Sequence, residues 1–232
     1  MNIGSYLSSL LIGSIISLFS VSFTIPPNDS SATFSGSVEG TAILAPKNRS
    51  VRSGGSLYGR PTPSNTTQSS SDSILVVLKG TSSNSLASTK AQYLNQKNQQ
   101  FVPSILPVSA GGTVRIQNSD PVYHNVFSLT SPNKFDVGRR PKGEFFDVRF
   151  EKPGVVDVFC DIHSNMYAII YVLPPGTISF TKIKSGDSFS FSEIQDGTYE
   201  LTLYALGYKE VNSQILLRNG QTHQAGTITL NP

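Results

Sequence analysis

At 232 residues the chain can build one large β domain or two small ones, and its net charge of +3, with 14% charged side chains, is too mild and dispersed to argue for nucleic acid. One cysteine excludes an intrachain disulfide, and three histidines are too few for an enzyme that needs several histidine-rich metal centres. Trp is absent, Gly, Ser and Thr are plentiful, and short β-branched runs recur, which together read as all-β.

Residues 1–28 carry no charged side chain; Asp29 is the first acid and Lys47 the first base. The apolar stretch from Leu7 to Ile25, with small residues Ser20 and Ser22, reads as an export signal without the usual basic start. Its length also allows an uncleaved membrane anchor, although six serines between Leu7 and Phe23 weaken a spanning helix. Residues 29–92 then hold N-terminal strands and a linker. Phe34 to Leu44 alternates as a strand, 47–73 is Ser-, Gly- and Pro-rich with nothing to build a core, and Ile74-Leu-Val-Val-Leu78 is a buried strand closed by Lys79-Gly80. Residues 81–98 are polar, with room for a short helical turn around Leu86 to Tyr93.

A dense series of strands fills 93–173. Phe101 to Val108 leads to the Gly111-Gly112 turn, and Thr113 to Gln117 and Val126 to Leu129 follow. Phe146, Val148 and Phe150 alternate with Asp147 and Arg149, and Val156 and Val158 run toward Cys160 before Tyr167 to Leu173 closes the unit. Gly, Pro and Asn turns at this spacing predict an antiparallel sandwich. Arg139-Arg140-Pro-Lys142, balanced by Asp136, Glu144 and Asp147, reads as a solvated turn. From Pro174 to Pro232 a second small sandwich is expected, with strands at Gly186 to Phe191, Asp196 to Tyr204, Gln214 to Leu217 and Thr227 to Leu230. His223 reads as a surface residue of a polar turn.

The chemistry concentrates in Cys160-Asp-Ile-His163-Ser-Asn-Met166, where the only cysteine and the only methionine after the initiator flank a histidine. A second histidine, His124, sits in Pro121-Val-Tyr-His-Asn-Val-Phe127. Singly, each residue reads as core filler or a structural histidine. Together, one thiolate, two imidazoles and one thioether form the donor set of a mononuclear blue-copper site holding one ion. The thiolate makes the short covalent bond, the imidazoles complete a near-trigonal plane, and the axial thioether tunes the potential. Zinc is the nearest competitor, but structural zinc takes more thiolates or histidines and Met is a poor zinc ligand. His124 stands just before one strand and Cys160 at the end of another, so only tertiary pairing can bring them together.

These residues resemble the cupredoxins. Phe101-Val-Pro-Ser-Ile-Leu-Pro-Val108, Asn118 to Ser128, Lys134-Phe-Asp136, Lys152-Pro-Gly-Val-Val156 and Phe159 to Met166 carry the resemblance over about residues 93–173. They are similar to the plastocyanin-like domains of bacterial exported proteins labelled methylamine-utilisation proteins, and the Cys-x2-His-x2-Met loop is similar to that of amicyanin. The resemblance implies a Greek-key β-sandwich, copper held by His124, Cys160, His163 and Met166, and electron-carrier activity. It also implies that the Asn125 side chain braces the loop carrying the cysteine. Many relatives have Pro after the loop histidine where this chain has Ser164, which bears on partner docking rather than on metal binding. Residues 176–232 resemble the carboxypeptidase-regulatory-like β-sandwich. Strands 34–44 and 74–79 would supply its first strands, with the copper module inserted between.

An exported or periplasmic electron carrier with an unidentified redox protein as partner is therefore expected, with no nucleic acid and with a membrane only if the N-terminal segment stays uncleaved. No catalytic Ser/His/Asp set, phosphate loop or paired-carboxylate signature stands out. A copper store or chaperone would show exposed, Met- and His-rich ligands in place of one compact set. A structural accessory protein with a non-redox metal site draws on the second sandwich.

Overall fold

The computed structural model describes residues 35–47, 72–80 and 91–232. The expected signal or anchor, most of the Ser-rich linker and most of the expected helical turn lie outside them. The described residues are all-β, and no helix among them is long and apolar enough to cross a membrane.

Two strands, β1 (Ser35–Leu44) and β2 (Ser73–Gly80), come first. The next nine are β3 (Gln92–Lys97), β4 (Gln100–Val102), β5 (Ile105–Ser109), β6 (Gly112–Asn118), β7 (Phe127–Ser128), β8 (Phe135–Asp136), β9 (Phe145–Phe150), β10 (Gly154–Phe159) and β11 (Tyr167–Leu173). They form two sheets, ordered β4-β3-β6-β9 and β5-β11-β10-β7-β8. Leu94, Val114, Ile116 and Phe150 from the first sheet meet Leu106, Val108, Val156, Val158, Ile170 and Val172 from the second in one core. Cys160 and Met166 belong to that same core.

The last five strands are β12 (Thr177–Lys184), β13 (Ser188–Gln195), β14 (Gly197–Ala205), β15 (Val211–Leu217) and β16 (Thr222–Leu230). With β1 and β2 they form sheets ordered β13-β1-β16 and β12-β2-β14-β15. Strand β2 lies antiparallel between β12 and β14, and β1 lies parallel to β16. Val38, Ile74, Val76, Leu78, Phe189, Phe191, Leu201, Leu203 and Ile215 fill the core between these sheets.

The two unbroken apolar runs explain how the sandwiches meet. Side chains alternate faces along a strand, so a run without polar interruption must be covered on both sides. In β2, Ile74, Val76 and Leu78 face their own sandwich while Leu75 and Val77 face outward. In β11, Ala168, Ile170 and Val172 face the core around Cys160, and Ile169, Tyr171 and Leu173 face outward. The outward sets pack together with Ile105, Tyr204 and Leu206 in a third core.

Several expectations need correcting. Residues 92–97, expected within a polar stretch without a strand, are strand β3: Leu94 and Gln96 point inward at 0% and 1% exposure, and a parallel ladder with β6 satisfies the polar backbone. Three of the four sheets are mixed rather than antiparallel, since β3–β6, β5–β11 and β1–β16 pair parallel, while β12-β2-β14-β15 is antiparallel throughout. Strand β12 precedes the first strand expected after Pro174. His223 is half-buried within β16, opposite Val38, rather than in a surface turn. Arg140 is not simply solvated: its guanidinium stacks over Phe146 and donates to the Val137 carbonyl at 2.9 Å.

Candidate metal centre

The site is assembled by two loops at one end of the sandwich. The first runs from Asn118 at the end of β6 to β7, and its shape is set by buried side chains rather than by a ladder. Asn118, fully buried, accepts from the Asp120 backbone N–H at 2.8 Å and donates through Nδ2 to the carbonyls of Val122 and Arg140, both at 2.8 Å. His124 exchanges backbone hydrogen bonds with Arg140 at 2.8 and 3.2 Å. These contacts fix where the His124 ring enters the core. The second loop joins β10 to β11 and is closed by the Met166 N–H donating to the His163 carbonyl at 3.0 Å.

The donor atoms converge. His124 Nδ1 lies 3.0 Å from His163 Nδ1, and Cys160 Sγ lies 3.8 Å from each. Among the described residues this is the cluster of metal-competent side chains. His124 is fully buried, Cys160 is a buried free thiol, and His163 is half-buried at the surface end. Met166 is 1% exposed at the base of the same loop.

The imidazole chemistry can be read from the partners. Asp120 Oδ2 lies 2.9 Å from His124 Nε2, and an ionised carboxylate only accepts hydrogen bonds, so Nε2 carries the hydrogen. The Nδ1 lone pair then faces Cys160 and His163. Burial pushes the Asp120 carboxyl up, but N–H groups of Gln99, His124 and Asn98 outweigh it and hold the carboxyl below its ordinary value. The Asn98 and Gln99 backbone N–H groups donate to it at 2.6 and 2.8 Å.

The triangle fits a small soft ion. His124, Cys160 and His163 would each reach one ion at roughly 2.0–2.3 Å. Two imidazoles and a thiolate, with a thioether close by in sequence, are the donor chemistry of a mononuclear copper site.

No family model and no curated protein sequence matches the chain. Solved structures that match include cupredoxins. One is a purple cupredoxin from Nitrosopumilus maritimus, 23% identical over 35% of this chain and 99% of its own, with a TM-score of 0.32. A mutant of amicyanin in its reduced Cu(I) form is 19% identical over 41% of this chain and 98% of its own, with a TM-score of 0.35. A Cu-containing nitrite reductase from Thermus scotoductus SA-01 is 23% identical over 40% of this chain but only 26% of its own, with a TM-score of 0.36.

Three of the sequence-expected ligands, His124, Cys160 and His163, come together directly, and Met166 is buried beside them in the same core. Asn125 is buried next to His124, yet its Oδ1 has no hydrogen-bond partner among the described residues. Asp120 was not anticipated from the sequence. An acid four residues before a candidate ligand was a signal within reach, but its meaning depends on the distant Asn98–Gln99 turn.

Proposed function

We propose that this chain is an exported mononuclear copper protein that carries single electrons by cycling one ion between Cu(II) and Cu(I). His124, Cys160, His163 and Met166 are its ligands. The observation that carries the reading is the convergence of two imidazole Nδ1 atoms and one thiol at 3.0–3.8 Å, with Met166 buried in the same core as the thiol. Copper in such a donor set supplies a one-electron couple with little change of ligand geometry.

The chain's own groups do the rest. Asp120 and the Arg140 pairing hold His124 still, and the core around Cys160 and Met166 keeps water from the thiolate. His163, half-buried, is the ligand that reaches the surface, where an electron enters from a reduced redox protein and leaves to an oxidised one. The only other histidine, His223, lies in β16 of the other sandwich, which favours a carrier over an enzyme built on several histidine-rich copper centres. The uncharged apolar segment at 1–28 supports export.

The test is the visible and EPR spectrum of the protein with Cu(II) added. An intense thiolate-to-copper band with narrow hyperfine splitting, bleached by ascorbate, is expected. A colourless adduct, or colour that survives Cys160→Ala, would overturn the assignment.

A further inference from the structure

We infer that Asp120 is a positioning residue that biases the centre toward the divalent ion, an inference that rests on the copper reading above. Two features support it. The first is orientation. Asp120 is 5% exposed and its carboxylate is shared between His124 Nε2 at 2.9 Å and the backbone N–H groups of Asn98 and Gln99 at 2.6 and 2.8 Å. Asn98 and Gln99 both have φ of 54°, a left-handed pair that turns two successive N–H groups toward one acceptor. The carboxylate is thus anchored to the β3–β4 turn and offers His124 a fixed acceptor, which selects the Nε2–H tautomer before any metal arrives.

The second feature is charge. A divalent ion with one thiolate leaves one net positive charge at the centre, and a monovalent ion leaves none. Asp120 is an anion one imidazole ring away, buried and therefore weakly screened. It stabilises the divalent state and leaves the monovalent state almost untouched. The same hydrogen bond makes the imidazole a more basic ligand, which favours the harder ion in the same sense.

The experiment compares wild type with Asp120→Asn, which keeps a side-chain oxygen but removes the charge. Cu(II) and Cu(I) affinities are measured separately by competition with chelators, alongside the reduction potential and the melting of the apoprotein. Cu(II) affinity should fall about tenfold to hundredfold while Cu(I) affinity changes far less. Each tenfold of that difference raises the potential by about 59 mV. Equal losses for both ions with an unchanged potential would mean that Asp120 only anchors the turn, and would overturn the inference.

A second readout needs neither copper nor a variant. Long-range nitrogen–proton NMR of the wild-type apoprotein should show His124 protonated at Nε2; protonation at Nδ1 alone would overturn the clamp even if Asp120→Asn failed to fold. Failure of the copper reading looks different, since the wild-type adduct would then lack the thiolate band while the His124 tautomer stayed as described.

Discussion

Adjacent isoleucines in β11 separate the stability of the metal core from that of the contact between the sandwiches. Ile169 and Ile170 are both fully buried, but Ile170 packs against the core holding Cys160 and Met166, and Ile169 packs against Leu75 and Val77 of β2. Ile169→Ala removes about three methylene equivalents, worth about 2.4 kcal/mol in transfer free energy. The cavity left between two packed sheets adds to this, within the usual range of about 2–5 kcal/mol. A loss of about 3 kcal/mol lowers the melting temperature of a chain this size by about 6–12 °C. Ile170→Ala should cost a similar amount, yet only Ile170→Ala should disturb the copper signal, because only it loosens the floor beneath the ligands. Thermal melts and EPR spectra of both copper-loaded variants read the two effects independently. An Ile169→Ala protein whose hyperfine pattern changes as much as that of Ile170→Ala, or whose melting stays within 2 °C of wild type, would refute this division.

Three further expectations follow from the site and the frame. Cys160→Ala should abolish the visible band, and Met166→Leu should keep copper and raise the potential, both read by spectroscopy and voltammetry. Between the sandwiches, burial and then neighbouring carboxylates push the Tyr204 hydroxyl up to about 12 and raise Tyr171 further, with Tyr171 hydrogen-bonded to Glu210. The unfolded chain loses these protons near pH 10 while the folded chain keeps them, so stability is complete below about pH 10 and falls as pH rises above it. Denaturant melts across that window should flatten in Tyr171→Phe; an unchanged slope would count against the buried hydroxyl. Gly36→Ala should destabilise by about 1–3 kcal/mol, because its Cβ would press into the Gln221 carbonyl beside the β1–β16 ladder; a melt matching wild type would disprove the close approach.

The candidate ligands were legible because their chemistry is local and rare. One cysteine, one internal methionine and a histidine between them need no fold to be noticed, and the strand before Cys160 announces itself by alternation. The run at 74–78 was legible as a buried strand because nothing polar interrupts it, and 167–173 was legible as the strand that closes its unit. What covers their second faces was not legible, since Leu75 and Ile169 meet only in space. Strand β3 escaped because Gln92, Asn95 and Gln96 give no apolar pattern, and the parallel ladder with β6 that makes it a strand joins residues distant in sequence. The parallel pairing of β1 with β16 joins segments near opposite ends of the sequence. Asp120 looked like part of a turn, and its function depends on two N–H groups from another loop.

The placement of β2 also governs the order in which the chain can fold. Its neighbours in the sheet, β12 and β14, both lie beyond the whole copper module in sequence. A chain emerging from a ribosome or a translocon N-terminus first therefore presents Ile74 to Leu78 with no strand to receive it while β3 to β11 are completed. Strands β3 to β11 are contiguous in sequence, and their outward residues Ile169, Tyr171 and Leu173 are the ones that cover Leu75 and Val77 in the folded chain. One face of β2 is thus met by residues made soon after it, while its own sheet and core wait for the C-terminal strands.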